Sequence, residues 1–162
     1  MTARRVFFAS VVVAVLSVLA SGASMPSGRI PVHFGAGGEP DRWGQRGELV
    51  VVLLAVVLGL ALFMWFLARK APTMPWELVN IPDKQHWQQP ENEPVARARL
   101  RADMYATGAW CMGLFIVLAP LVALSTRVPG AAGWPTLLVI GVACASLLVG
   151  VVVRTRFYRV RR

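Results

Sequence analysis

Charge is absent from the hydrophobic part of this chain. Four long stretches, Val6 to Ser24, Leu49 to Ala68, Tyr105 to Ser125 and Trp134 to Val153, contain no Lys, Arg, Asp or Glu. Each is close to the length that crosses about 30 Å of hydrocarbon at about 1.5 Å per residue. A soluble fold would have to bury four all-apolar helices on every side, which a chain of 162 residues cannot arrange. The missing mid-helix charge also argues against a pump or proton-coupled transporter, which places ionisable groups at that depth. A channel of several copies lined by small residues stays open, but no residue selects for it. The expected fold is all-α and integral to a membrane. It is a single domain over 1–162, a four-helix bundle with helices at about 6–24, 49–68, 105–125 and 134–153.

Cysteine and the motifs of catalysis are nearly as scarce. Cys111 and Cys144 lie inside the third and fourth apolar stretches, where a thiol acts as a small hydrophobe. Their number and spacing form neither a disulfide framework nor a metal knuckle. No glycine loop of the phosphate-cradling kind and no nucleophile–base motif occurs. The sequence therefore points to a protein that is not an enzyme and carries no cofactor.

Acid is the third shortage, with 8 carboxylates against 17 Lys and Arg. A net charge of +9 suits nucleic acid, but its distribution suits a membrane better. Arg4 and Arg5 precede the first stretch, and Arg69, Lys70, Lys84, Arg97, Arg99 and Arg101 fill the second loop. Arg154, Arg156, Arg159, Arg161 and Arg162 make up the tail. With both termini and that loop in the cytoplasm, 13 of the 17 lie inside, as the positive-inside rule requires. The expected layout is N-in/C-in, with an external loop at 25–47, a cytoplasmic loop at 69–104 and a basic tail at 154–162. The tail reads as a cluster for anionic lipid headgroups rather than for nucleic acid. The N-terminal segment also has the basic start and small residues of a cleaved signal peptide, with Arg4-Arg5 as a twin-arginine export signal. Its 19-residue uncharged run is long for a signal core and favours a retained helix.

Within the stretches, small residues recur at helical spacing. Ser10, Ala14, Ser17, Ser21 and Ser24 share one face of the first helix. Ala109, Gly113, Pro120 and Ala123 recur in the third, and Gly141, Ala145, Ser146 and Gly150 in the fourth. In lipid, helices associate through close packing and polar contacts, so these faces are the expected contact surfaces. Pro120 should kink the third helix. Asn92 is placed to cap a helix with Pro94 in its first turn and Glu93, Arg97 and Arg101 at i, i+4 spacing. That helix should run on into the third span. Trp65, Phe66, Trp110 and Trp134 fit an aromatic belt at the membrane boundary. The loop "TRVPGAAG" reads as a turn at Pro129-Gly130.

Two polar segments hold more than a tether needs. "RIPVHF" has strand composition, with Ile30, Val32 and Phe34 on one face and Pro31 and His33 on the other. "GAGGEP" supplies a turn and "DRWG" follows, predicting a small folded external cap, a short β-hairpin, with Trp43 packed back toward the membrane. The second segment, "WELVNIPDKQHW", carries Asn80, Lys84, His86 and Trp87.

The pairing of "RIPVHFGAGGEPDRWG" with "NIPDKQHWQQPE" resembles a family of small bacterial membrane proteins carrying a domain of unknown function. The same unit forms the N-terminal part of SdpI-type toxin-immunity proteins. The resemblance spans roughly residues 6 to 125. Ile30, Pro31, His33, Phe34, Gly38, Asp41, Trp43 and Gly44 fit the external pattern, and Asn80, Pro82, Lys84, Trp87 and Glu91 the cytoplasmic one. Met25-Pro26 stands where leucine-proline is usual and His86 where tyrosine is common; only one helix follows the third. The resemblance implies a multi-pass protein of the bacterial cytoplasmic (inner) membrane with an interaction, sensing or immunity-like role.

The candidate partner- or ligand-binding residues are His33, Asp41, Trp43, Asn80, Lys84 and Trp87, with no catalytic and no metal residue assigned. The expected partners are a membrane protein or an envelope peptide, with a second copy of the chain left open. A rival reading binds or transports a small ligand or metal through the bundle, with His33 and Asp41 at the external entrance and Glu39 as a third ligand. Lys84 and His86 lack an evident partner for acid–base chemistry, and headgroup anchoring explains Lys84 and Trp87.

Overall fold

The structure, a computed structural model, describes residues 2–35, 39–127 and 134–160, with backbone alone for Phe34 and residues 134–137. Helix α1 (Ala3–Ser24) leads into an antiparallel hairpin of β1 (Arg29–Phe34) and β2 (Pro40–Gln45), then α2 (Arg46–Lys70). Two 3-10 turns, Ala71–Thr73 and Trp76–Leu78, and a one-turn helix, α3 (Lys84–Trp87), form the connection to α4 (Glu93–Ser125). Helix α5 (Trp134–Arg156) follows. Among the described residues four helices are long and apolar enough to cross a membrane, the architecture of a multi-pass membrane protein. The Pro129-Gly130 turn, Gly38, Arg161 and Arg162 lie outside the described residues.

The spans match the uncharged stretches, each helix running a few residues further into polar sequence. The largest extension is that of α4. Its 33 residues reach about 50 Å, well beyond the hydrocarbon, so the part from Glu93 stands clear of the expected span as the polar sequence requires. Asn92 does not cap it with its side chain. The Asn92 amide instead donates to the His86 carbonyl (3.1 Å), tying α4 back to α3. Glu93 and Arg97 do pair (3.1 Å).

Helices α1, α2 and α4 form the core, around Phe7, Ala14, Val18, Val57, Ala61, Tyr105, Met112 and Ala119. Gly108 lets the three meet. A Cβ there would sit 2.7 Å from the Phe7 ring of α1 and 3.0 Å from Cβ of Met64 of α2. Gly22 plays the same part between α1 and α2, where a Cβ would collide with Val50. The small face expected on α1 is used, with Ala14 and Ser21 buried. On α4 the buried face is Tyr105, Gly108, Met112, Ala119 and Ala123, so Ala123 alone comes from the expected set. Gly113 and Gly141 have nothing within 4 Å of a Cβ, and they are not helix contacts. The face that packs is the one carrying Gly108, where the Phe7 ring fills the space a side chain would take.

Helix α4 runs unbroken through Pro120. Proline has no N–H, so the carbonyl four residues earlier, Ile116, loses its helical donor. The Ser17 hydroxyl of α1 donates to that carbonyl at 2.9 Å. A polar residue of one helix thus repairs the backbone of its neighbour in a medium that offers no water.

Candidate functional site

The hairpin and the α2–α4 connection stand at opposite ends of the bundle, separated by the length of α2, about 37 Å. The described N-terminal and C-terminal residues lie at the connection end: Arg4 shares a cleft with Arg69 and Arg101, and Tyr158 touches Trp87.

At the hairpin, Arg29 pairs with Gln45, Ile30 with Gly44 and Pro31 with Trp43. Beyond Pro31 the register slips and recovers around His33, which pairs with Arg42 before Phe34 meets Pro40. Such bulges redirect side chains. Here His33 and Asp41 meet, the Nδ1–H donating to Asp41 Oδ1 at 2.6 Å, while both side chains stay open to solvent at 65% and 51%. The Gly35 N–H donates to the Glu39 carbonyl (2.9 Å) and closes the turn.

Strand alternation assigns the faces. Ile30 is buried among Met25, Ala123, Val32, Leu49 and Val122, which plants the hairpin on the ends of α1, α2 and α4. Burying that side chain is worth about 2 kcal/mol. Its cross-strand partner, Gly44, has no room for a side chain beside Val32 and Glu48. Trp43, one residue away, therefore faces outward and is 49% exposed, contrary to the expectation that it packs back toward the membrane. The Arg29 guanidinium donates to the Trp43 carbonyl (3.1 Å), and Arg42 pairs with Glu48. Arg127 donates to the Ser24 carbonyl, joining the ends of α4 and α1 beneath. Among the described residues no three His, Cys, Asp or Glu side chains converge as a metal site, so Glu39 does not complete the His33–Asp41 pair.

The other end is a polar clamp on the tail. The Trp87 indole N–H donates to the Tyr158 carbonyl (2.8 Å), and the two rings meet edge to face at 6.0 Å. Tyr158 is buried, and its hydroxyl donates to Asp103 Oδ2 at 2.6 Å, while Arg154 pairs with the other oxygen. Burial first, and then the bond to the Asp103 carboxylate, push the Tyr158 phenol well above its ordinary value. Arg99 donates to the Phe157 carbonyl (2.7 Å) and lies over both aromatic rings. The Val160 N–H donates to Asp83 Oδ2 (2.7 Å). Asp83 holds a left-handed backbone, φ 49°, and its carbonyl accepts from the N–H groups of His86 and Trp87. A second lock folds the connection onto α4: Arg97 lies 4.1 Å from the centre of the Trp76 ring and donates to the Met74 carbonyl (2.6 Å).

Of the sequence candidates, His33 and Asp41 are brought together, with Trp43 on the same hairpin. Lys84 and Trp87 share α3, and Lys84 borders a shallow hollow with Asp83, Gln85, His86 and Val160. Asn80 is exposed, and among the described residues its side chain has no hydrogen bond. Asp103, Asp83, Arg99 and Tyr158 were not singled out by sequence. The signal for Asp103 was its place: it is the last charge before an uncharged span.

Residues 8–60 match the family model of a domain of unknown function, DUF1648. An uncharacterized protein of Archaeoglobus fulgidus is similar, at 36% identity over 59 residues, 33% of this chain and 30% of that protein. The chain thus spans about a third of the length of that curated relative. No solved structure matches. The family match covers most of α1, the whole hairpin and the first part of α2. What this chain shares with that domain family is therefore the segment that presents His33, Asp41 and Trp43, and the tail clamp falls outside it.

Proposed function

We propose that this is a non-enzymatic recognition protein of the cytoplasmic membrane, with the hairpin outside and both termini inside. The carrying observation is a hairpin fixed by its inner face and, apart from the buried Pro31, open on its outer one. Ile30 anchors it, while Trp43, Arg29, Arg42 and the His33–Asp41 pair are presented to solvent. An exposed tryptophan flanked by arginines is the composition of an interaction hot spot. Both outer edges of a two-stranded hairpin are also free to accept an extended peptide. The fitting partner is an envelope-active peptide or another membrane protein, and an immunity-like or sensing role agrees with the resemblance to the N-terminal part of SdpI-type proteins. The orientation rests on the surplus of Lys and Arg at the connection end.

The test is affinity purification from native membranes of the chain and of its His33→Ala/Trp43→Ala variant. A stoichiometric peptide or protein should accompany the first and be lost from the second. Identical material with both would overturn the reading. A second reading, a small ligand or metal at the hairpin, has one observation in its favour: Asp41 orients the His33 ring through Nδ1 and leaves Nε2 without a partner among the described residues. An ion bound to the isolated chain and lost in His33→Ala would favour it.

A further inference from the structure

At the connection end, a cleft of about 650 Å³ opens between the ends of α1, α2 and α4. Arg4, Arg69 and Arg101, one from each helix, line it with Thr2, Trp65 and Tyr105. The lining contains no carboxylate. Three arginines elsewhere are paired with carboxylates, Arg42 with Glu48, Arg97 with Glu93 and Arg154 with Asp103, and three more donate to backbone carbonyls, Arg29, Arg99 and Arg127. Among the described residues the three in the cleft have no carboxylate partner. Arg69 lies 5.4 Å from the Trp65 ring centre and Arg4 5.9 Å from that of Phe8, and among the described residues no side-chain hydrogen bond occupies the N–H groups of Arg4, Arg69 or Arg101.

The depth of the cleft is fixed by sequence. Arg4 stands one residue ahead of Arg5 and the uncharged run of α1, Arg69 immediately follows that of α2, and Arg101 stands just ahead of the uncharged run of α4. All three therefore reach the level where hydrocarbon gives way to headgroups, the level that Trp65 and Tyr105 also favour. The free backbone N–H groups at the start of α1 add positive potential there, since Thr2 lines the cleft and the helix begins at Ala3.

We propose that this cleft is a site for the phosphate headgroup of an anionic phospholipid. Three guanidinium groups lining one cleft suit the oxygens of a phosphodiester, and the volume exceeds a bare phosphate and accepts a glycerol headgroup beside it. The acyl chains would run along the helices from the open side, a feature that a soluble phosphate lacks. Basic pockets between membrane helices hold such headgroups by this chemistry. The site is distinct from the tail, whose Arg154 is already engaged with Asp103, and it does not depend on the hairpin reading.

The experiment is native mass spectrometry of the full chain in detergent with added phosphatidylglycerol, phosphatidylcholine or inorganic phosphate. Arg69→Gln/Arg101→Gln is compared with Arg5→Gln/Arg156→Gln, which removes equal charge from the same end outside the cleft. The expected result is a 1:1 phosphatidylglycerol adduct, preferred over phosphatidylcholine, that falls on the order of tenfold in the cleft variant and is kept in the control. Arg69→Lys/Arg101→Lys should recover part of it, showing that the fold survives. An equal loss in both glutamine variants would reduce the effect to bulk attraction and overturn the site. Retention of the adduct in the cleft variant would overturn it as well. Displacement of the lipid by inorganic phosphate at equal concentration would overturn the lipid assignment in favour of a soluble phosphate.

Discussion

Helices α1 and α5 each carry an uncharged span of similar length, yet they are held in opposite ways. Along its length α1 packs into α2 and α4, through Phe7 against Gly108, Gly22 against Val50 and the Ser17 hydroxyl on the Ile116 carbonyl. Among the described residues of α5 no side chain from Leu138 to Arg156 is buried, and the polar bonds that hold this element gather at its last turn and just beyond it. Asp103, Arg99, Trp87 and Asp83 hold Arg154, Phe157, Tyr158 and Val160 there. Hydrocarbon is as apolar as the helices themselves, so a span is fixed either by close backbone approach or by polar bonds where water thins. The first helix uses the former and the fifth the latter.

The comparison breaks most sharply at the glycines of α4. Gly108→Leu should force Phe7 and Met64 apart and cost about 3 kcal/mol in a detergent unfolding titration. Gly113→Leu, one turn on in open space, should leave the midpoint nearly unchanged. Equal losses would mean that Gly108 is not the contact.

Next comes the clamp. Asp103→Ala strands the Tyr158 hydroxyl and Arg154, a loss of about 2 kcal/mol that should fall on the tail alone. Trypsin should then cut at Arg156 or Arg159 far faster while the unfolding midpoint of the core holds. The clamp is also sensitive to alkali. The Tyr158 phenol is raised in the folded chain above its ordinary value of 10.0, so its contribution is complete below pH 10 and lost as pH climbs through the folded value. In a Tyr105→Phe background, the remaining phenol should still absorb as the neutral form at pH 10, and half-ionisation there would contradict the burial.

A smaller effect is expected at the proline. Ser17→Ala leaves the Ile116 carbonyl without a donor, at about 1 kcal/mol, and a second change, Pro120→Ala, should cancel most of that loss by restoring the helical N–H. The smallest effect belongs to the hairpin. His33 and Asp41 are exposed, so Asp41→Asn should shift stability by less than about 0.5 kcal/mol. A pair so weak in the fold is free to be used by a partner.

The parts legible in sequence follow the same division. Spans, the hairpin and the run of α4 from Glu93 into the membrane were readable because each is a local pattern: uncharged length, alternation around a glycine turn, a polar helix start. Choosing Gly108 over Gly113 needed the position of Phe7 on another helix. The outward turn of Trp43 needed the register that sets Gly44 against Ile30. The clamp was hidden because its bonds join residues more than 50 positions apart and several end on backbone carbonyls, which leave no mark in side-chain identity. Arg4, Arg69 and Arg101 were counted as topology signals, and their convergence appears only once three helix ends are placed together.

The central claim is that the hairpin faces outward to meet a partner. Its most direct test places a photo-cross-linking amino acid at Trp43, and in parallel at Leu78 on the exposed connection, in native membranes. The expected result is a discrete adduct with a peptide or protein from position 43, blocked by His33→Ala and absent from position 78. Adducts of the same size from both positions, or from neither, would contradict it.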